Sequence, residues 1–151
     1  MPSNGNGHIP RIKTAIDTEV CQKVIALERD FYRYIDVAMP KKHKYTLVAA
    51  CVRRLMEVRD TIVSGMDFDV NYYATKKHAL LSEARAKLRN VAVDIQHLND
   101  LGDVSNDAKA HFDEQMDAIQ THVAKLLNSL QKRMDVASAS REGTPTRDAL
   151  D

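Results

Sequence analysis

Apolar residues recur along this chain at intervals of three and four, the spacing that lines one face of a helix. The first such series is Ile16, Val20, Val24, Leu27, Phe31, Ile35 and Ala38. The second is Val48, Cys51 or Val52, Leu55, Val58, Ile62 and Met66, fading at Gly65, a residue suited to a helix C-terminus. The third is Tyr73, Leu80, Leu81, Ala84, Leu88, Val91, Ile95 and Leu98, ending at Leu101-Gly102. The fourth is Ala108, Phe112, Met116, Ile119, Val123, Leu126, Leu130 and Met134.

The punctuation between these series is equally regular. Pro40 fixes its own φ and disfavours helix in the residue before it, so the first helix should end near Met39. The second should begin around Lys44 to Thr46. Residues 67–71 form a short connection, and Ser105 is a good N-cap for the fourth helix, with Asp107 at the positive end of its dipole. Four amphipathic segments joined by short turns predict an all-α, antiparallel, up-down-up-down four-helix bundle. The proline turn and the 102–105 turn then share one end, and the 67–71 connection and both chain termini share the other. By this reading residues 1–15 are a disordered leader, 16–135 the bundle, and 136–151 a disordered polar tail.

Composition agrees with helix. The chain has 151 residues, 44% hydrophobic and 28% charged, with no Trp and few Gly or Pro. A single domain of this length buries enough surface to need no disulfide or metal staple. Cys21 and Cys51 sit on apolar stripes of different helices, which predicts free buried thiols in a reducing compartment. Met1 to Pro10 is polar and glycine-rich, without an apolar core of signal-peptide length, and no run is long enough to span a bilayer. A cytoplasmic protein without membrane contact is the expectation.

The net charge is only +1, so any polyanion site must come from the distribution of charge. Cations gather in the turn at Lys41, Lys42 and Lys44, with His43 among them. Others lie at Arg53 and Arg54 on the second helix and at Lys76, Lys77, Arg85 and Arg89 on the third. These nine are the candidate nucleic-acid-binding residues, because phosphate neutralisation needs several cations on one surface. Lys76 and Lys77 start at the end opposite the turn, so the set can divide into two patches. The acids Asp107, Asp113, Glu114 and Asp117 crowd the first half of the fourth helix.

Chemistry of an enzymatic kind finds no support. A helical di-iron site needs two Glu-x-x-His pairs; the nearest approach is one Asp94-x-x-His97, and His111 and His122 are too far apart along their helix to chelate together. There is no glycine-rich phosphate loop, serine elbow or Cys-x-x-Cys pair. No catalytic residue and no cofactor is expected. Helix one carries a second apolar line at Cys21 and Ile25, and helix two at Met56 and Val63. Such widened faces can feed a subunit interface or simply a broad core.

The run Leu27-Glu28-Arg29-Asp30-Phe31-Tyr32-Arg33-Tyr34-Ile35, followed by Met39-Pro40-Lys41-Lys42-His43 and by Tyr45-Thr46-Leu47, resembles the accessory variability determinant proteins of diversity-generating retroelements. Those are similar in turn to the wider family of four-helix-bundle proteins encoded in 23S rRNA intervening sequences. Leu88-Arg89 also suits the pattern, and the likeness extends from about Ile16 to Arg133. Two features differ from it: Leu126 to Leu130 stands where a Gly-Gly-Trp-like segment is common, and the chain is nearly neutral rather than basic. The resemblance implies a homopentameric barrel of bundles that binds a reverse transcriptase and its structured template-region RNA and supports mutagenic cDNA synthesis, with no catalytic site of its own. The rival expectation is a helical adaptor or RNA-associated protein of the wider family with no retroelement role.

Overall fold

A computed structural model of the chain describes residues 14–39 and 47–143, the last three by their backbone alone. The described residues form four helices and no strand: α1 (Glu19–Ala38), α2 (Leu47–Asp67), α3 (Ala74–Asp100) and α4 (Asn106–Gly143), with a 3-10 turn (Ala15–Asp17) before α1. Each helix packs against the next, and α4 returns against α1, which closes the bundle. The core is a single cluster drawn from all four stripes, with Leu27, Phe31, Leu55, Leu81, Leu88, Ile95 and Ile119 among its fully buried side chains. Each such residue contributes roughly 1.5–3 kcal/mol of burial.

The predicted helix ends hold where local chemistry sets them. Met39 is extended (φ −80°, ψ 138°), as a residue before proline should be, and its side chain is buried. α3 stops in a Schellman motif. Gly102, at φ +82°, donates its N–H to the Asn99 carbonyl at 3.0 Å, and Asp103 N–H reaches the Leu98 carbonyl at 2.9 Å. The buried Val104 follows directly, so the motif also turns the chain into the core. Ser105 then caps α4, its Oγ accepting the Ala108 N–H at 3.1 Å.

That turn is fastened to α1. The Tyr34 hydroxyl accepts the Ser105 N–H at 2.9 Å and donates to the Asp103 carbonyl at 3.4 Å. Its ring meets Phe112 edge-on, with centroids 5.7 Å apart, and Phe31 approaches the same Phe112 at 5.4 Å. The end of α1 and the α3–α4 turn therefore share one end of the bundle, as the short connections require. At the other end, Arg133 on α4 donates to Asn71 Oδ1 at 3.3 Å.

Four details differ from the periodicity reading. Ile16 is exposed because the chain enters α1 through the 3-10 turn, where the Asp17 carboxylate accepts the Thr14 N–H at 2.9 Å; Ala15 is buried in its place. Ala38 is exposed, and the core position at that end falls to Met39. Gly65 does not end α2, which continues to Asp67. Instead it lets α2 approach α3 closely: a Cβ on Gly65 would lie 3.2 Å from Leu81 Cδ2. The fourth helix does not stop near 135 but runs on to Gly143, and its stripe settles on Leu127 with Leu126 beside it. Of the expected leader 1–15, residues 1–13 lie outside the described residues, as do the last eight of the expected tail, whereas Thr14 and Ala15 are ordered as the cap and first residue of the 3-10 turn.

The register of that extension follows from one contact. Gln120 Nε2 on α4 reaches the Arg85 carbonyl on α3 at 3.1 Å. Counting eleven residues outward along the antiparallel pair brings Gln131 level with Ala74. Residues 132–143 therefore project about 18 Å beyond the start of α3.

Two substitutions test these contacts. Gly65→Leu should destabilise the bundle by about 1–3 kcal/mol, because the enlarged side chain meets Leu81 and the Leu80 Cβ at once. Tyr34→Phe should cost about 1 kcal/mol through loss of the clasp on the 103–105 turn. Urea denaturation measures both, and full stability of either variant would contradict the corresponding contact.

Candidate nucleic-acid interface

Lys41, Lys42 and Lys44, with His43, lie outside the described residues, in the segment joining α1 to α2. That segment leaves the bundle at Met39 and re-enters at Leu47, beside the end held by Tyr34 and Phe112. The other six candidates occupy five different settings, and no one face gathers them.

Arg53 is exposed on α2 and borders a groove of about 440 Å³ between α1 and α2. Tyr32, Val52 and Met56 line the same groove, so the cation sits against apolar surface near the basic segment's end of the bundle. Arg54, one residue on, points to α3, where it binds Asp94 Oδ1 at 2.6 Å. Its charge is matched by that carboxylate, and Asp94 is the residue of the Asp94-x-x-His97 pair, so a structural ion pair occupies it.

Arg85 and Arg89 face α4 across a groove shared with Asp113, Glu114 and Asp117. Helix three's cations thus meet the acidic first half of helix four, an arrangement that lowers the local potential a polyanion would feel. Lys77 is half-buried: its Nζ donates to the Phe68 carbonyl at 3.3 Å, and burial pushes its pKa below the ordinary lysine value despite Asp69 nearby. It supports the α2–α3 connection more than it faces solvent. Lys76 stands over two rings, its Nζ 5.9 Å from the Phe68 centroid and 5.7 Å from that of Tyr73. A cation held by ring faces keeps its full charge, so Lys76 stays available to an anion.

Sequence reasoning missed what surrounds Lys76. Tyr72 and Tyr73 in the connection, and Lys132 and Arg133 on the projecting part of α4, line one open groove with it. The Tyr-Tyr pair was readable as aromatic residues next to basic ones. Its meeting with Lys132 and Arg133 depends on α4 returning alongside the connection between α2 and α3, which no single helix's sequence displays.

Other ionisable groups hold the helices together. Glu28 on α1 binds Arg59 on α2 at 2.7 Å; burial pushes its carboxyl above the ordinary glutamate value, with Arg59 opposing that shift. Asp30 takes bonds from Gln115 at 3.0 Å and His111 at 3.5 Å. Burial would raise its carboxyl, but these partners and Arg29 hold it below the usual aspartate value. Both cysteines are free and buried, as their stripe positions predict, and burial pushes the Cys51 thiol up to about 12. Cys21 lies in the core of its own bundle, not on an outer second line. Among the described residues no group of three His, Cys, Asp or Glu side chains could hold a metal ion, and no helix is long and apolar enough to cross a membrane.

No protein-family model matches the chain, and no curated protein matches it either.

His122 on α4 offers a check on the α1–α4 seam. Lys23 Nζ lies 3.1 Å from its Nδ1, and burial, with Lys23 and Lys125 adding to it against Glu19, pushes the ring's pKa below 6.5. Folding thus disfavours the charged ring. This contribution to stability is intact above pH 6.5 and is lost as pH falls below it. His122→Gln should therefore lose less stability than the parent chain between about pH 7.5 and about pH 5.5. Equal losses in urea melts at the two pH values would contradict the placement.

Proposed function

We propose that this chain is a non-catalytic accessory protein of a diversity-generating retroelement, a four-helix bundle that binds structured RNA and a reverse transcriptase and supports mutagenic cDNA synthesis. The observation that carries the RNA part is the sorting of charge along the bundle. Along the middle of the bundle Arg54 is paired with Asp94, and Arg85 and Arg89 border the groove that Asp113, Glu114 and Asp117 also line. Lys41, Lys42 and Lys44 lie within the seven residues between Met39 and Leu47, which flank one end of the bundle, and no carboxylate falls among those seven. The all-helical fold is the one that the resemblance implies. The apolar groove between α1 and α2, with Tyr32, Val52 and Met56, is surface suited to a neighbouring copy in a homopentamer.

One observation favours a second reading. The chain is nearly neutral, which suits a helical adaptor or RNA-associated protein of the wider intervening-sequence family acting without a retroelement. Co-purification separates the two: the first reading requires that the chain retain both a reverse transcriptase and its transcript, the second that it retain RNA or a protein partner alone.

Changing Lys41, Lys42 and Lys44 together to Glu should weaken binding of the transcript and reduce its log-log salt slope by about 2, as three phosphate contacts are lost. Unchanged affinity across salt concentrations would reject the basic segment as the RNA contact. Light scattering should return a multiple of the 17.0 kDa chain mass, five for the barrel, and a clean monomer at micromolar concentration would remove the oligomer.

A further inference from the structure

We infer that the end of the bundle opposite the basic segment carries a stacking platform for single-stranded RNA, built from Tyr72 and Tyr73 with Lys76, Lys132 and Arg133 around them. The inference rests on the reading of this chain as an RNA-binding protein, and adds where and how unpaired bases are held.

Aromatic residues are few here, five Tyr and three Phe in the whole chain, yet Phe68, Tyr72 and Tyr73 fall within six positions of one connection. None of the three belongs to the core cluster. Tyr72 is 82% exposed and Tyr73 is 47% exposed, so both rings face water at the bundle's end. Tyr73 is kept in place by a tilted contact with Phe68, centroids 5.5 Å apart, while Lys76 rests over both rings. The connection itself is pinned by backbone: Tyr73 N–H reaches the Asp69 carbonyl at 2.8 Å, and Asp69 Oδ1 accepts the Asn71 N–H at 2.7 Å. The Tyr73 ring and the backbone that carries Tyr72, whose N–H reaches the Asp69 carbonyl at 3.3 Å, are thus held before any ligand arrives.

The projecting part of α4 supplies the second wall. Between it and the connection runs an open groove of about 1140 Å³. That exceeds the roughly 300–1,000 Å³ of clefts that enclose one small molecule, and fits an elongated chain. Among the described residues three cations line it, Lys76, Lys132 and Arg133, against one carboxylate, that of Asp135, which accepts Gln131 Nε2 at 2.9 Å. Arg133 is steered by the neutral Asn71 amide, which orients the guanidinium without cancelling its charge. A cationic groove beside exposed rings is what single-stranded nucleic acid needs, phosphates on the cations and bases on the ring faces. A duplex offers no free base face to Tyr72. A second copy of the same patch would bring like charges together across a two-fold axis, which disfavours self-association here.

The test is fluorescence anisotropy of the full chain with labelled oligouridylate at several salt concentrations. Tyr72→Ala should weaken binding about five- to a hundred-fold, since a stacked base is lost. Tyr72→Phe, which keeps the ring face, should bind as the parent does. The double variant Lys132→Gln/Arg133→Gln should lower the log-log salt slope by about 1.4. All three positions are exposed, and thermal melts of the variants verify that the bundle is intact. If Tyr72→Ala and the double variant both bind as the parent does, the platform is rejected while the RNA-binding reading stands. If Tyr72→Ala lowers the light-scattering mass and leaves RNA affinity unchanged, the surface is a self-contact and the inference fails. If the parent chain binds neither oligouridylate nor the transcript, inference and reading fall together.

Discussion

Every feature of this bundle depends on matching four apolar stripes in register while the connections remain short. A stripe has no value alone; Leu55 and Ile62 of α2 are buried in one cluster with Leu81, Leu88 and Ile95 of α3. Register along the α2–α3 seam is set by close approach at Gly65, where no side chain intervenes. Register at the opposite end is set by the Schellman turn at Gly102 and by the Tyr34 hydroxyl, which spans the two backbone groups of that turn. With both ends fixed, the polar faces fall where the sequence places them, and the electrostatic pattern follows from the packing.

That pattern explains how a chain of net charge +1 can still present cationic zones. Opposite charges are consumed in the middle, where helices lie side by side and Arg54 meets Asp94 and Arg59 meets Glu28. Helix ends and connections have neighbours on fewer sides, which leaves fewer carboxylates within reach of a cation there. Lys76 over its rings and Arg133 on the Asn71 amide are cations held by neutral groups, and both belong to such an end. Buried ion pairs such as Glu28–Arg59 add little net stability, since desolvation raises the carboxyl even with the guanidinium in contact. They fix which helix faces which.

Most of the fold was legible in the sequence, and the reasons are local. Pro40 acts on Met39 alone, Gly102 supplies a left-handed residue at the end of α3, and Ser105 caps with its own hydroxyl. Where a residue's role depends on another helix, periodicity misreads it. Gly65 looks like a stop and acts as a close contact, because its meaning lies with Leu81. The candidate site was less legible for the same reason. Arg54 on α2 and Arg85 and Arg89 on α3 read as free cations when each helix is taken by itself, and only the neighbouring helix reveals Asp94 bound to the first and the acids across the groove from the others. The polar composition after Val136 suggests disorder, yet α4 continues through it and lines part of the groove with Tyr72.

On the proposed reading, RNA is held by the two ends of this bundle and not by its sides. Ultraviolet crosslinking of the full chain to its bound transcript, followed by mass-spectrometric mapping of the modified peptides, tests this most directly. Crosslinks should concentrate in peptides spanning 39–47 and 68–76, with a further set around 131–136. Crosslinks confined to the flanks of α3 and α4 around Arg85 and Asp117 would contradict it.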